Sequence, residues 1–269
     1  METVRLNKFL ARSGVCSRRD ADRLIERGEV EVNGRRAEPG MQVTGEDEVR
    51  VRGETVRGNG DRVVLAFYKP YGVTCTERDP HAEKIISDLV DYPGRVTYAG
   101  RLDRDSRGLL LLSNDGDLIQ AMMKGSNFHE KEYVVRVDRE VSDAFLEKMA
   151  GGVYLEDLDV TTRECKVERL GTYTFRIILT QGLNRQIKRM CRACGCRVRS
   201  LKRVRVMHVR LGNLKPGEYR RLEDDDVDRL YRDCGLQAGT GGGGQQPAGG
   251  SRRMPCRDSG ERQRKEKDG

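Results

Sequence analysis

Tryptophan is missing from this chain, and aromatic residues make up only 5% of it. Each ring that a fold could set against a ligand therefore carries more weight than usual. No apolar run approaches the roughly 20 residues of a membrane span, so a membrane role is not expected. The stretch Met1-Glu2-Thr3-Val4-Arg5 turns polar at once; no secretory leader is expected, and a cytoplasmic location follows as the expectation. Metal-ligand and dinucleotide motifs are lacking too. The eight cysteines then read as reduced thiols, not as a disulfide framework. Cys191-x-x-Cys194-x-Cys196 has a spacing that could hold zinc, but a structural site needs four ligands. His208 and Cys165 could complete it, yet no second Cys or His pair has matching spacing. Buried or half-exposed thiols are the expectation.

What the chain does have is positive charge. Lys and Arg number 51 against 43 Asp and Glu, a formal net charge of +8 with a pI near 9.1. Such a balance suggests a polyanionic partner, nucleic acid first. A length of 269 residues suits one large domain, or a small domain followed by a larger one.

Residues 3–46 read as a compact module. Leu6, Phe9 and Leu10 recur at helical spacing, and Ser13-Gly14 ends that helix. Ser17 caps a second helix, with Asp20 in the place of a capping-box acid; Ala21, Leu24 and Ile25 face inward. Arg19, Arg23 and Arg27 fall at i, i+4 and i+8 as one basic stripe beside Arg18, and Gly28 stops the helix. Val30 and Val32 alternate into an Asn33-Gly34 hairpin turn followed by Arg35 and Arg36. A basic helix beside a basic hairpin suits phosphates, although a solvated helix face would look the same. Residues 47–62 are charged and broken by Gly53, Gly58 and Gly60. They are expected to end the module and link two bodies that move separately.

Residues 63–68 read as a buried strand, Lys69-Pro70-Tyr71-Gly72-Val73 as the turn after it, and 85–90 as a short amphipathic helix. The stretch 98–112 organises the rest. There Asp103 lies among Arg101, Arg104 and Arg107, and Leu109, Leu110, Leu111 and Leu112 read as a buried strand. A carboxylate in a loop leading into the interior can be held rigid. Neighbouring cations favour the ionised form that a nucleophile or base needs. Spacing alone fits a structural loop with solvated charges as well. Beyond it, Asn114-Asp115-Gly116-Asp117 reads as a turn before a helix over 118–123. Residues 129–137 form an alternating strand bearing Lys131 and Tyr133, 141–149 a helix, and 153–168 and 173–180 strands. A helix then opens near Gln186 with Arg185, Lys188 and Arg189 at its start. Valines alternate with basic residues over 197–209, and a last helix around 227–231 closes the domain. From 237 onward the composition predicts a disordered basic tail.

Several of these segments resemble one family. Gly100-Arg101-Leu102-Asp103-Arg104-Asp105-Ser106-x-Gly108-Leu109-Leu110 is similar to the catalytic motif of pseudouridine synthases of the RsuA/RluB/RluE/RluF type. Lys69-Pro70-x-Gly72, Lys131-x-Tyr133 and Asn184-Arg185-Gln186-Ile187-Lys188-Arg189-Met190 resemble further motifs of that family, in the same order. Arg5-Leu6-Asn7-Lys8-Phe9-Leu10 through Gly28-x-Val30-x-Val32-Asn33-Gly34 resembles the S4 RNA-binding domain. Gly125-x-Asn127-x-His129-Glu130-Lys131-Glu132-Tyr133 looks closest to the subgroup that modifies large-subunit rRNA.

The resemblance implies an α+β fold: an S4-like domain and linker over 1–62, a synthase domain with a mixed, mostly antiparallel sheet over 63–236, and a tail over 237–269. It implies isomerisation of a uridine already in structured RNA, a 23S rRNA stem-loop first and a tRNA anticodon loop second. It makes Asp103 the catalytic residue, acting toward the sugar as nucleophile or base. Lys188 would pair with Asp103, where arginine is the expected residue of the closest subgroup. Tyr133 would pack on the uracil, and Arg101 would hold the extruded nucleotide. Contacts to RNA would fall to Arg18, Arg19, Arg23, Arg27, Arg35, Arg36, Arg185 and Arg189. The implied enzyme is a monomer working with no cofactor and no metal. Two rivals are a non-catalytic S4-type RNA-binding or ribosome-assembly protein, and a glycosidase, which would need a second catalytic acid; Asp105 is the adjacent candidate.

Overall fold

The structure, a computed structural model, describes residues 3–56, 62–76 and 84–237. The N-terminal pattern folds as read. Helices α1 (Leu6–Arg12) and α2 (Arg18–Glu26) press Leu6, Leu10, Ala21 and Ile25 onto Val30, Val32, Val43 and Val49. Ser17 caps α2, its hydroxyl oxygen accepting the Asp20 amide at 3.1 Å and its hydroxyl donating to the Asp20 carboxylate at 2.8 Å. Strand β1 (Val30–Val32) turns at Asn33 and Gly34, with φ of 51° and 74°, into β2 (Arg35–Arg36). That pair of positive angles is what a two-residue hairpin demands. Part of the expected linker folds with this module: β3 (Val49–Val51) pairs with β1, and β4 (Glu54–Thr55) with β3. The rest, residues 57–61, lies outside the described residues, as does the expected tail from 238.

The remainder is built on a nine-stranded mixed sheet. Its strands are β5 (Val64–Lys69), β6 (Thr97–Ala99), β7 (Arg107–Ser113), β8 (Lys131–Val137), β9 (Lys166–Gly171), β10 (Thr174–Leu179), β11 (Val198–Val206), β12 (Val209–Arg210) and β13 (Tyr219–Arg221). The path across it runs β9-β10-β8-β11-β7-β5-β13, with β6 on β7 and β12 on β11. Only β11 and β7 run parallel among these pairs. At that crossing Gly108 sits at φ 111°, and a Cβ there would lie 2.2 Å from the carbonyl oxygen of Arg203. No side chain fits, so glycine is what lets the two strands meet.

Why β5 and β7 are apolar without alternation is now plain: both faces are covered. Helices α3 (Gly116–Met123) and α6 (Asp224–Asp233) pack Leu118, Met122, Leu230 and Tyr231 on Val64, Ala66, Leu109 and Leu111. On the other face Leu65, Phe67, Leu110 and Leu112 meet Val73, Cys75, Ile86 and Leu102. The far half of the sheet carries α4 (Asp143–Ala150) and α5 (Gln186–Ala193), with Phe145, Phe175, Ile177 and Met190 at its centre.

Two readings need correction. Residues 85–90 contain a single 3-10 turn, Ile86–Asp88, because Ile85 is held extended in a bridge to Thr74. The segment 153–168 is not continuous strand: it holds the short pair Tyr154–Leu155 and Val160–Thr161, joined by a turn through Asp159 at φ 49°. One ionic contact also crosses from the N-terminal module to the sheet body. Lys8 Nζ lies 2.8 Å from Asp117 in the first turn of α3, and Arg12 pairs with the same carboxylate. Partial burial works to raise the Asp117 carboxyl, but these two cations outweigh it and leave it below its ordinary range.

Candidate active site

Asp103 sits in the loop between β6 and β7, and the turn after β5 cradles that loop. The Gly72 amide donates to the Arg104 carbonyl at 2.8 Å, and the Arg104 guanidinium returns to the Gly72 carbonyl at 3.3 Å. Lys69 reaches through the interior to the Ser106 carbonyl at 2.7 Å, and the Ser106 amide donates to the Asp103 carbonyl at 3.0 Å. Beneath, the Leu102 amide donates to the Cys75 sulfur at 3.4 Å. Burial pushes the Cys75 thiol up, so it accepts as a neutral group. The carboxylate is thus carried on a loop anchored from below at four points, with its side chain left 31% exposed.

The three arginines beside Asp103 in the chain do not fence it. Arg104 serves Gly72, Arg107 donates to the Ser200 hydroxyl at 3.3 Å, and Arg101 is exposed with no ion pair among the described residues. Arg104 and Arg107 reach other partners, and a tertiary contact supplies the cation instead. Arg185, at φ 51°, turns the chain into α5 and aims its first turn at the loop. From there Lys188 Nζ lies 2.9 Å from Asp103 Oδ2, its side chain only 14% exposed. The pairing expected from the motif is therefore present in the geometry.

Asp105 shares that ammonium. It hydrogen-bonds Lys188 as well, and Arg185 lies 3.5 Å from its other oxygen. Partial burial works to raise the Asp105 carboxyl, but the Lys188 bond and charge, aided by Arg185, win and leave it below its ordinary value. Two carboxylates bridged by one lysine were not legible from spacing, which showed Asp105 only as a neighbour of Asp103.

Three further basic side chains are withdrawn from water on β5, β11 and β8. Lys69 is fully buried; loss of hydration depresses its ammonium to about 8, partly offset by the charges of Asp103 and Asp105. Arg203, 3% exposed, donates to the Leu109 carbonyl at 2.7 Å, and one of its terminal nitrogens is buried with no hydrogen-bond partner among the described residues. Burial and the Arg203 charge lower Lys131. Sequence reading had only the motif positions of Lys69 and Lys131, and no signal for Arg203, a basic residue in an alternating strand.

Tyr133 is half-buried and packs against both hydrophobic clusters that flank the cleft, one under α5 and one under the Asp103 loop. The basic candidates of the N-terminal module, Arg18, Arg19, Arg23, Arg27, Arg35 and Arg36, are all exposed, with Arg23 pairing to Asp20 at 3.2 Å. Arg189 is not open: it donates to the Asn184 carbonyl at 2.9 Å and pairs with Asp157. Cys191 and Cys196 are buried and Cys194 and Cys165 half-buried, all free thiols that burial pushes up. Among the described residues no cluster of His, Cys, Asp and Glu could hold a metal ion.

Comparison with known proteins agrees with this geometry. The RNA pseudouridylate synthase family model matches residues 63–193, and the S4 domain model residues 4–49. The dual-specificity RNA pseudouridine synthase RluF of Escherichia coli is 45% identical over 232 residues, covering 86% of this chain and 79% of the relative. Ribosomal large subunit pseudouridine synthase B of Bacillus subtilis is 36% identical, covering 84% and 95%. A crystal structure of a pseudouridylate synthase superposes with a TM-score of 0.63 at 30% identity, covering 84% of this chain and 99% of that one. An anchored carboxylate under a shared lysine, a flanking tyrosine and an S4 module in one chain mark it as a member of the RNA pseudouridine synthase family, an isomerase of uridine in RNA.

Proposed function

We propose that this enzyme converts a uridine of large-subunit rRNA to pseudouridine, and that Asp103 is its catalytic residue. The observation that carries the reading is Asp103 itself, partly open to solvent, anchored from below and 2.9 Å from Lys188. The N1–C1′ bond of the target breaks, the base turns, and C5 joins C1′; the C5 hydrogen leaves and N1 takes a proton, so mass is unchanged. Asp103 acts toward the ribose. Lys188 holds its carboxylate in place, Tyr133 stacks on the uracil, and Arg101, exposed beside the loop, keeps the nucleotide out of its helix.

RNA binding falls to the S4-like unit of residues 1–62, through Arg18, Arg19, Arg23, Arg27, Arg35 and Arg36, and to Arg185 at the cleft. Arg189, tied to Asp157, contributes less. Residues 63–236 form the catalytic unit. The rRNA substrate is favoured because one relative is named for the ribosomal large subunit and another as a dual-specificity RNA synthase; a tRNA loop is the second substrate proposed. No helix among the described residues is long and apolar enough to cross a membrane. A monomer in the cytoplasm, working without a cofactor, completes the proposal.

The test is release of tritium from RNA labelled at uridine C5, with pseudouridine mapping of rRNA and tRNA from cells lacking the protein. Asp103→Asn should bind RNA as the wild type does and release no tritium. Turnover within about tenfold of wild type would move the chemistry to another residue.

A further inference from the structure

Phe128 stands apart from every other phenylalanine in the chain. There are five. Phe67, Phe145 and Phe175 are buried and Phe9 packs on the N-terminal core, whereas Phe128 is 57% exposed. Its backbone is left-handed at φ 53°, an unfavourable setting for a bulky side chain that persists only when surrounding structure enforces it. The enforcing contacts are visible: Asn127 donates to the Ala121 carbonyl at 3.0 Å, and Arg163 donates to the Gly125 carbonyl at 3.3 Å. The Arg163 guanidinium lies over the Phe128 ring, 4.3 Å from its centroid. One face of the ring is thus backed by a cation while the residue as a whole stays exposed. Fold stability gains nothing from an exposed ring held at a strained angle.

The position of this ring is not arbitrary. Phe128 lies three residues before Lys131 in β8, the strand that carries Tyr133. The Arg163 amide donates to Gln181 Oε1 at 3.2 Å, and Gln181 begins the segment that delivers Arg185 and Lys188 to the Asp103 loop. The nearest acid in the chain, Glu130, is paired with Arg205 at 2.8 Å. A flat apolar ring, a cation behind it and a neutralised acid beside it form a platform for a nucleobase.

We propose that Phe128 and Arg163 form a stacking site for an unpaired base flanking the target uridine. The proposal rests on the reading of this chain as an RNA-modifying enzyme and adds a stacking contact to a flanking base that no motif position supplies. Extruding one nucleotide leaves its neighbours without a stacking partner. A second platform just before the start of the strand that carries Tyr133 would accept one of them and hold the opened strand. The base would lie on the open face of Phe128, with the guanidinium opposite it and free to draw a phosphate close.

The absence of tryptophan makes the test direct. Phe128→Trp creates a chain with a single tryptophan, at the platform, whose emission is excited apart from that of the nine tyrosines. Titration with a stem-loop transcript of unmodified large-subunit rRNA should at least halve its emission, while a fully paired duplex of equal length should bind and leave the emission unchanged. Phe128→Ala should raise the KM for the stem-loop about tenfold with kcat unchanged, and Arg163→Ala should do part of the same. Emission unchanged at saturating stem-loop, as judged by RNA anisotropy, would overturn the proposal. So would equal quenching by duplex, a KM within twofold of wild type for Phe128→Ala, or emission that shifts with protein concentration in the absence of RNA, which would mark a contact between copies. The two readings fail separately. Quenching should persist when Asp103→Asn is added to Phe128→Trp, and quenching without tritium release by wild type would sink the reaction while leaving the platform.

Discussion

The cations of the N-terminal module and those of the catalytic cleft differ in almost everything but sign. Arg18, Arg19, Arg27 and Arg35 stand in water. They cost the fold nothing and act on a polyanion additively, each neutralising about one phosphate. Lys69, Arg203 and Lys188 are largely or fully withdrawn from water. They are costly to bury, so each is held by a carbonyl or a carboxylate that it in turn positions. The lesson is that one composition, rich in basic residues, serves two physical purposes. Exposed cations set affinity and its salt dependence, while buried ones set geometry, and removing any one of them should expose the difference.

The sharpest break in the comparison is Lys188→Ala. It leaves Asp103 and Asp105 facing each other with no shared cation, and the expected loss in kcat is at least about a hundredfold, the scale of a misplaced catalytic group. Lys188→Arg should stay close to wild type. Acidification gives a second reading. The Asp105 carboxyl lies below its ordinary value when folded, so its stabilisation is present above the ordinary carboxylate range, near pH 4, and is lost as pH falls through its folded value. Wild type should therefore lose stability relative to Lys188→Ala over that acid interval. A stability difference that does not change with pH would assign the shift of Asp105 to other groups.

Lys69→Met should come next. The substitution keeps length and apolar volume but removes the donor to the Ser106 and Pro70 carbonyls, and kcat should fall about tenfold through a displaced Asp103 loop. Its stability signature has the opposite sign to that of a typical salt-bridged lysine. The folded ammonium titrates at about 8 against an ordinary 10.5, so the cost of burying it is fully present below pH 8. Between those two values the unfolded chain holds the proton more tightly, and wild type should gain on Lys69→Met by up to roughly 3 kcal/mol as pH rises. Chemical denaturation at pH 7, 9 and 10.5 would measure this; parallel curves would mean that Lys69 keeps its ammonium when folded as firmly as it does when unfolded.

The smallest effect per residue belongs to the exposed set. Changing Arg19, Arg23 and Arg27 together to Ala should weaken RNA binding and flatten its dependence on log salt by up to about one unit per lost contact. Turnover at saturating RNA should be kept, and so should stability, since exposed pairs such as Arg23 with Asp20 contribute little. An unchanged slope would return the stripe to solvent.

What the amino-acid order determines by itself is local. The Ser17 cap, the Asn33-Gly34 hairpin, the buried runs of β5 and β7 and the amphipathic α5 follow from periodicity and turn chemistry, because each depends on neighbours within about four residues. The order of the motifs also puts Asp103, Tyr133 and Lys188 in one family, and the fold brings Lys188 onto Asp103 while Tyr133 packs on the two neighbouring clusters. The misses at the site are long-range. Arg101, Arg104 and Arg107 look like the cations of Asp103 because they stand beside it in the chain. The partner in contact is 85 residues away, delivered by a helix whose first turn no local pattern can aim. Asp105 as co-ligand of Lys188, Arg203 under β7 and the guanidinium over Phe128 are of the same kind. Periodicity tells which side of an element is apolar, and so what must be buried. Which buried surfaces meet, and so which charges must share a lysine, is decided by packing the whole sheet with its helices, where the cost of withdrawing a cation from water leaves only arrangements that give it a partner.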